Sequence, residues 1–171
     1  MKIRKTHCLL AVVLIFGFLL FGSQTCFAAQ GSLINVPGSA FVPDGGVTSG
    51  QHYKPFMGGY LYYNGAAETT GCYVAPVNFP QGSTTIDKVT FFVLDANPSD
   101  HATLTLIRVN LATGVTDMIG SITTSDAVGI ARHNLPNLAN TAVSAVYSYY
   151  LTACMPPNVR LYGVKVKYSA P

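Results

Sequence analysis

The sequence predicts an all-β fold: an antiparallel two-sheet sandwich, jelly-roll-like, with eight or nine strands. Three observations predict it. Apolar and polar residues alternate at period 2 in segment after segment, as half-buried strands require. These segments recur about every ten residues, between Gly, Pro, Asn and Asp turns, which is the sandwich rhythm. No stretch shows a 3.6-residue apolar period of helical length, and Gly, Pro, Thr, Tyr and Val outweigh Glu and Lys.

Residues 1–28 read as a signal peptide, removed before folding is considered. Lys2, Arg4 and Lys5 form a basic start, Leu9 to Phe21 an apolar run, and Cys26-Phe27-Ala28 a small-residue cleavage site. The apolar run is short for a membrane span, which needs roughly 20 residues. An uncleaved anchor and a lipoprotein acylated at Cys26 are the lesser readings. Gln24 and Thr25 speak against the second, because a lipobox wants small residues there.

Removing Lys2, Arg4 and Lys5 from the ten cations leaves seven, against seven carboxylates. The exported chain is therefore net neutral. Neutrality implies no electrostatic footprint for nucleic acid or an anionic membrane. It solubilises weakly and suits a protein held in an assembly or on a surface, with a homo-oligomer among the expected partners.

Residues 29–59 are expected to form an extended arm with edge strands. Leu33 to Val36 and Ala40 to Val42 are apolar pieces closed by Pro37 and Pro43, and proline cannot donate to a ladder. Residues 60–171 are expected to be the sandwich itself, with the arm packed on it as one domain. Tyr60 to Tyr63 is a brief strand, and Asn64-Gly65 after it is a strong hairpin signal.

Cys72 to Phe79 alternates, with Tyr73, Ala75, Val77 and Phe79 on one face. Ile86 to Leu94 is apolar on both faces in its second half, as a strand covered on both sides would be. Asp95 to Asp100 is a loop. Thr103 to Leu111 is β-branched, a shorter strand follows near Asp117 to Thr123, and Gly129 to Arg132 reads as an edge piece.

Ser144 to Tyr168 reads as a closing hairpin around Met155-Pro156-Pro157-Asn158. Tyr147, Tyr149 and Leu151 share its inner face. Leu161 and Val164 fall on opposite faces of a regular strand, and a bulge at Gly163 would turn both inward. Lys165 and Lys167 would then face solvent and guard an edge.

Cys72 and Cys154 are the cysteines left after the leader. In an oxidising compartment they are expected to bridge. Two free thiols, or a metal site lacking any CxxC signature, are the weaker readings.

Catalytic motifs are missing from the sequence. It contains no GxSxG elbow and no phosphate-cradling glycine loop. Ser125, Asp126 and His133 are merely near in sequence, and loop aspartates usually cap turns. Asp95, Asn97 and Asp100 are oxygen ligands of the type Ca²⁺ takes, though Asx-turn chemistry explains the same residues. No other cofactor is expected.

Aromatic rings are the remaining lead. Tyr53, Tyr60, Tyr62 and Tyr63 cluster, as do Tyr147, Tyr149 and Tyr150. Tyr62 and Tyr63 point opposite ways, and Tyr150 beside Ser148 and Thr152 is the more exposed ring of its group. Tyr53, Tyr60, Tyr62, Tyr63 and Tyr150 are thus the candidate ligand-binding residues.

CYVAPVNFPQGSTTIDKVTFFVLDAN, TLTLIRVNLATG, YSYYLTAC and RLYGVKVKY resemble small secreted bacterial β-sandwich proteins, which usually carry no assigned function. The resemblance spans Ala40 to Tyr168 loosely, transfers no catalytic motif and implies fold and export. The expected function is a non-enzymatic surface, matrix or envelope module that binds or assembles. A carbohydrate-binding module using exposed tyrosines is the alternative, and a hydrolase ranks last. The expected location is secreted, periplasmic or cell-surface, with a glycan or an envelope component as partner and no membrane insertion after cleavage.

Overall fold

A computed structural model describes residues 31–45, 52–53, 59–66, 69–125 and 128–170. The predicted leader and the middle of the arm lie outside the described residues. The fold is an all-β sandwich of two antiparallel sheets. In chain order the strands are β1 (Ser32–Pro37), β2 (Val42–Pro43), β3 (His52–Tyr53), β4 (Leu61–Tyr63), β5 (Gly71–Val77), β6 (Thr85–Asp95), β7 (Thr103–Asn110), β8 (Thr116–Thr123), β9 (Gly129–Asn134), β10 (Tyr147–Met155) and β11 (Val159–Ser169). That exceeds the eight or nine expected; β3, two residues long, is too short to show a period. A single 3-10 turn, Gly38–Ala40, links β1 to β2.

Sheet I runs β3-β4-β11-β6-β9, and β1 also pairs with β11. β1 covers Gly163 to Tyr168 of β11 and β4 covers Arg160 and Leu161, so the two short strands share one side of the long one. Sheet II runs β2-β5-β10-β7-β8. The described part of the arm thus contributes β1 and β3 to sheet I and β2 to sheet II.

Alternation sets the core, because successive side chains of a strand leave opposite faces. From sheet I, Leu61, Ile86, Val89, Phe91, Val93, Leu161, Val164 and Val166 point inward and are buried. Tyr73, Ala75, Leu104, Leu106, Leu151 and Ala153 meet them from sheet II. Tyr149 is buried as the alternation requires, and its hydroxyl donates to the Ala142 carbonyl at 3.2 Å and accepts from the Ser144 N–H at 3.0 Å. Tyr147 packs against the core edge, with the Arg108 guanidinium 4.2 Å from its ring centre.

The bulge at Gly163 is present. Leu161 pairs with Val93 and Gly163 with Phe92, which leaves Tyr162 as the extra residue, and Leu161 and Val164 both face the core.

Three expectations fail. First, β10 and β11 are not a hairpin, for β10 lies in sheet II and β11 in sheet I. Pro156 and Pro157 have no N–H to donate, Asn158 takes a positive φ of 72°, and the chain crosses the core instead of folding back on itself. Asn64-Gly65 likewise links strands of different sheets. Second, β11 has neighbours on both sides, so Lys165 and Lys167 guard no edge. Third, the outer side chains of β6, among them Thr90, Phe92 and Leu94, are only half-buried, so nothing described covers β6 on both sides.

Candidate functional site

Register builds one continuous surface on the outer side of sheet I. Residues paired across an antiparallel ladder project to the same face. Tyr62 therefore stands beside Arg160, Phe92 beside Arg132, Thr90 between Lys165 and Asn134, and Lys88 beside Lys167. Asn35 and Leu33 of β1 extend the last two rows, opposite Lys165 and Lys167.

One end of this face is aromatic. The Tyr60 ring lies 6.1 Å from that of Tyr62 and 5.6 Å from that of Tyr162, and the Arg160 guanidinium sits 5.1 Å from the Tyr60 centroid. Tyr162 projects here because the bulge makes it the extra residue of β11. A groove of about 430 Å³ begins at Tyr162 and runs over Gly163, Phe92 and Lys165, walled by Val36, Pro37 and Ile130. A second hollow of about 370 Å³ shares Phe92 and Lys165 with it and continues to Arg132, Asn134, Lys88 and Lys167.

Phe92 is the floor. The Arg132 guanidinium lies 5.8 Å and the Lys165 ammonium 5.4 Å from its ring centre. Such cation–ring contacts are worth about 0.5–1 kcal/mol at exposed sites. At the far end the Thr90 hydroxyl donates to Asn134 Oδ1 at 2.7 Å. The surface combines aromatic and apolar floor, side-chain donors and acceptors, and concavity, the usual make-up of a ligand groove.

The balance of charge over residues 29–171 conceals the charge on this face. Lys88, Arg132, Arg160, Lys165 and Lys167 are all exposed here, five of the seven cations of residues 29–171. The expectation that zero net charge means no basic footprint is thereby corrected. A sum over the chain carries no information about which sheet face a residue reaches. The described ion pair, Arg108 with Asp117 at 2.9 Å, lies in sheet II.

The tyrosines expected to bind divide. Tyr60 and Tyr62 belong to this face and are half-buried. Tyr53 pairs with Tyr62 in register, and its side chain lies outside the described residues. Tyr63 is corrected: it is 4% exposed, points into the core and bonds the Thr69 hydroxyl at 2.8 Å. Tyr150 is on the outer face of sheet II, between Pro76 and Ile107, and Met118 continues the row. Tyr62 and Tyr150 therefore stand on different sheets.

Cys72 and Cys154 form a disulfide between directly paired residues of β5 and β10. Asp95 turns inward, 2% exposed, and its Oδ1 accepts the Asn97 N–H at 3.0 Å. Asn97 Oδ1 accepts the Ser99 N–H at 3.1 Å, and Asp100 Oδ2 accepts from Asn158 Nδ2 at 3.0 Å. The Asp95 and Asn97 bonds are the Asx-turn chemistry given above as the alternative to calcium, and the Asp100 bond ties the loop to the β10–β11 turn. His133, on the inner side of β9, has its pKa lowered by burial, partly offset by the Asp95 charge. Ser125 and His133 show no mutual contact among the hydrogen bonds of the described residues, and Asp126 lies outside them.

Sequence reading missed Phe92, Tyr162 and the basic set. The signal was there in part. Lys88, Thr90 and Phe92 alternate on one side of β6, as do Arg132 and Asn134 on β9, but alternation within one strand does not say which strands adjoin.

No protein-family model matches the chain, and no characterised protein sequence is significantly similar to it. Among solved structures, the C-terminal family 6 carbohydrate-binding module of the marine laminarinase LamC from Zobellia galactanivorans is similar in fold. Its TM-score is 0.50 at 12% identity, covering 79% of this chain and 98% of that one. A family 29 carbohydrate-binding module has a TM-score of 0.44 at 11% identity, covering 81% of this chain and 92% of its own. The CBM22-1–GH10 part of a Clostridium thermocellum xylanase, solved with xylohexaose, has a TM-score of 0.47 at 11% identity, covering 82% of this chain and 28% of its own.

Proposed function

We propose that the protein is an exported, non-enzymatic binding module whose ligand is a glycan, taken along the outer face of sheet I. The observation that carries this is the groove running from Tyr162 across Phe92, with aromatic rings and side-chain hydrogen-bonding groups on one concave surface. Sugars present apolar C–H faces and hydroxyls together, and this surface offers a partner to each. The sandwich fold shared with a carbohydrate-binding module supports the reading, as does the disulfide, which suits an oxidising compartment.

A glycan array probed with purified protein is the test. Binding to at least one polysaccharide is expected, and Phe92→Ala should abolish it while leaving the circular dichroism spectrum intact. Absence of any glycan binding at millimolar ligand would sink the proposal.

A surface-assembly role is the second reading, favoured by the apolar row Pro76, Tyr150, Ile107 and Met118 on sheet II, where Met118 is 62% exposed. Light scattering of the purified protein tests it: a strict monomer at all concentrations would rule it out.

A further inference from the structure

We infer that the ligand on sheet I is an anionic polysaccharide, one bearing carboxylate or sulfate groups. This rests on the glycan reading above and narrows it.

The first ground is segregation of charge. Lys88, Arg132, Arg160, Lys165 and Lys167 project outward from three adjacent strands, β9, β6 and β11. No Asp or Glu occupies an outward position paired with them among the described residues of β1, β4, β6, β9 and β11. Asp95 of β6 faces the core, and Asp87, exposed beside Lys88 at the strand irregularity, is the one carboxylate bordering the set among the described residues; it accepts the Ser169 hydroxyl at 3.0 Å. Asp117 is held by Arg108 in sheet II.

The second ground is a like-charge pair. Lys167 and Lys88 are direct partners across the β11–β6 ladder. Like charges directly opposite one another destabilise a sheet. Lys165 stands two residues along the same strand and adds to the repulsion. A bound polyanion would relieve it, and the cleft geometry strengthens the local positive potential.

The third ground is what the rings offer. Arg132 and Lys165 lie over Phe92, and Arg160 lies over Tyr60. Single-stranded nucleic acid binds by stacking bases on bare ring faces. Here the rings stand with cations 5.1–5.8 Å from their centres, so the groove joins positive charge to its apolar floor, and single-stranded DNA is a competitor in the test below. Guanidinium groups take carboxylate or sulfate oxygens through paired N–H bonds, while Thr90 and Asn134 supply neutral partners for hydroxyls.

The test compares polymers that differ in charge but share a backbone: polygalacturonate against its full methyl ester, and a sulfated glycan against its desulfated form. Affinity is measured over a salt series. Single-stranded DNA and phosphatidylglycerol vesicles are run in parallel. The acidic polymer should bind at least tenfold more tightly than its neutral counterpart and weaken as salt rises. K88Q and K167Q should each weaken acidic binding severalfold and flatten the salt slope, yet raise the thermal midpoint by removing the repulsion. Equal binding of charged and neutral forms would overturn the charge inference and leave the glycan reading standing. Retention of no polysaccharide would overturn both. DNA or vesicles held as tightly as the acidic glycan would overturn the assignment to polysaccharide.

Discussion

Gly163 lies so close to Val36 on the neighbouring strand that a Cβ added to it would sit 2.8 Å from the Val36 carbonyl oxygen. The contact lies at the bulge that turns Leu161 and Val164 inward and frees Tyr162 for the outer face. Glycine is therefore required by backbone approach. Gly163→Val should cost about 1–3 kcal/mol by overpacking. Urea unfolding checks it, and a midpoint equal to the parent protein would show that β1 can yield.

Cys72 and Cys154 close a loop of sequence separation 82. In the chain-entropy model that loop is worth about 4 kcal/mol. Reduction, or the double change to serine, should lower the unfolding free energy by that order. Thiol titration of unreduced protein should find neither cysteine free; two reactive thiols would refute the bridge.

Tyr62 and Tyr63 are neighbours with opposite duties. Tyr63→Ala removes a buried ring and should cost about 3–5 kcal/mol. Tyr62→Ala touches the surface and should stay within about 1 kcal/mol, with its effect appearing in glycan binding instead. Paired denaturation and binding measurements decide. Equal destabilisation by both changes would contradict the assignment of faces.

His133 has a folded pKa below its ordinary 6.5, because burial opposes the imidazolium. Above that value the ring is neutral folded and unfolded, and its contribution to stability is fully present. Below it the unfolded chain takes up the proton first, so stability falls with pH until the folded pKa is passed. His133→Asn should flatten this part of the profile. An unchanged slope between pH 7 and 5 would show that other groups set it.

Much of the sandwich was legible in the chain. Period-2 alternation placed Tyr149, Leu151, Leu161 and Val164 inside, and the mismatch between the last two located the bulge. The tyrosine-rich stretches marked ring-bearing strands, yet they misplaced Tyr63, because in a three-residue strand alternation has no anchor for which side is the core. The Met155–Asn158 turn was located correctly and misassigned in kind, because the same turn residues serve a ladder and a crossing between sheets.

By itself the sequence determined the strand rhythm and the inward faces of β10 and β11, and made Cys154 the expected partner of Cys72. These depend on residues within a strand, or on there being one available partner. Tertiary structure alone decided which strands adjoin. That choice brings Lys88 against Lys167, Arg132 beside Phe92 and Tyr162 over the groove. The reason is physical: alternation specifies a side of each strand, whereas a binding face is a property of registers between strands far apart in the chain.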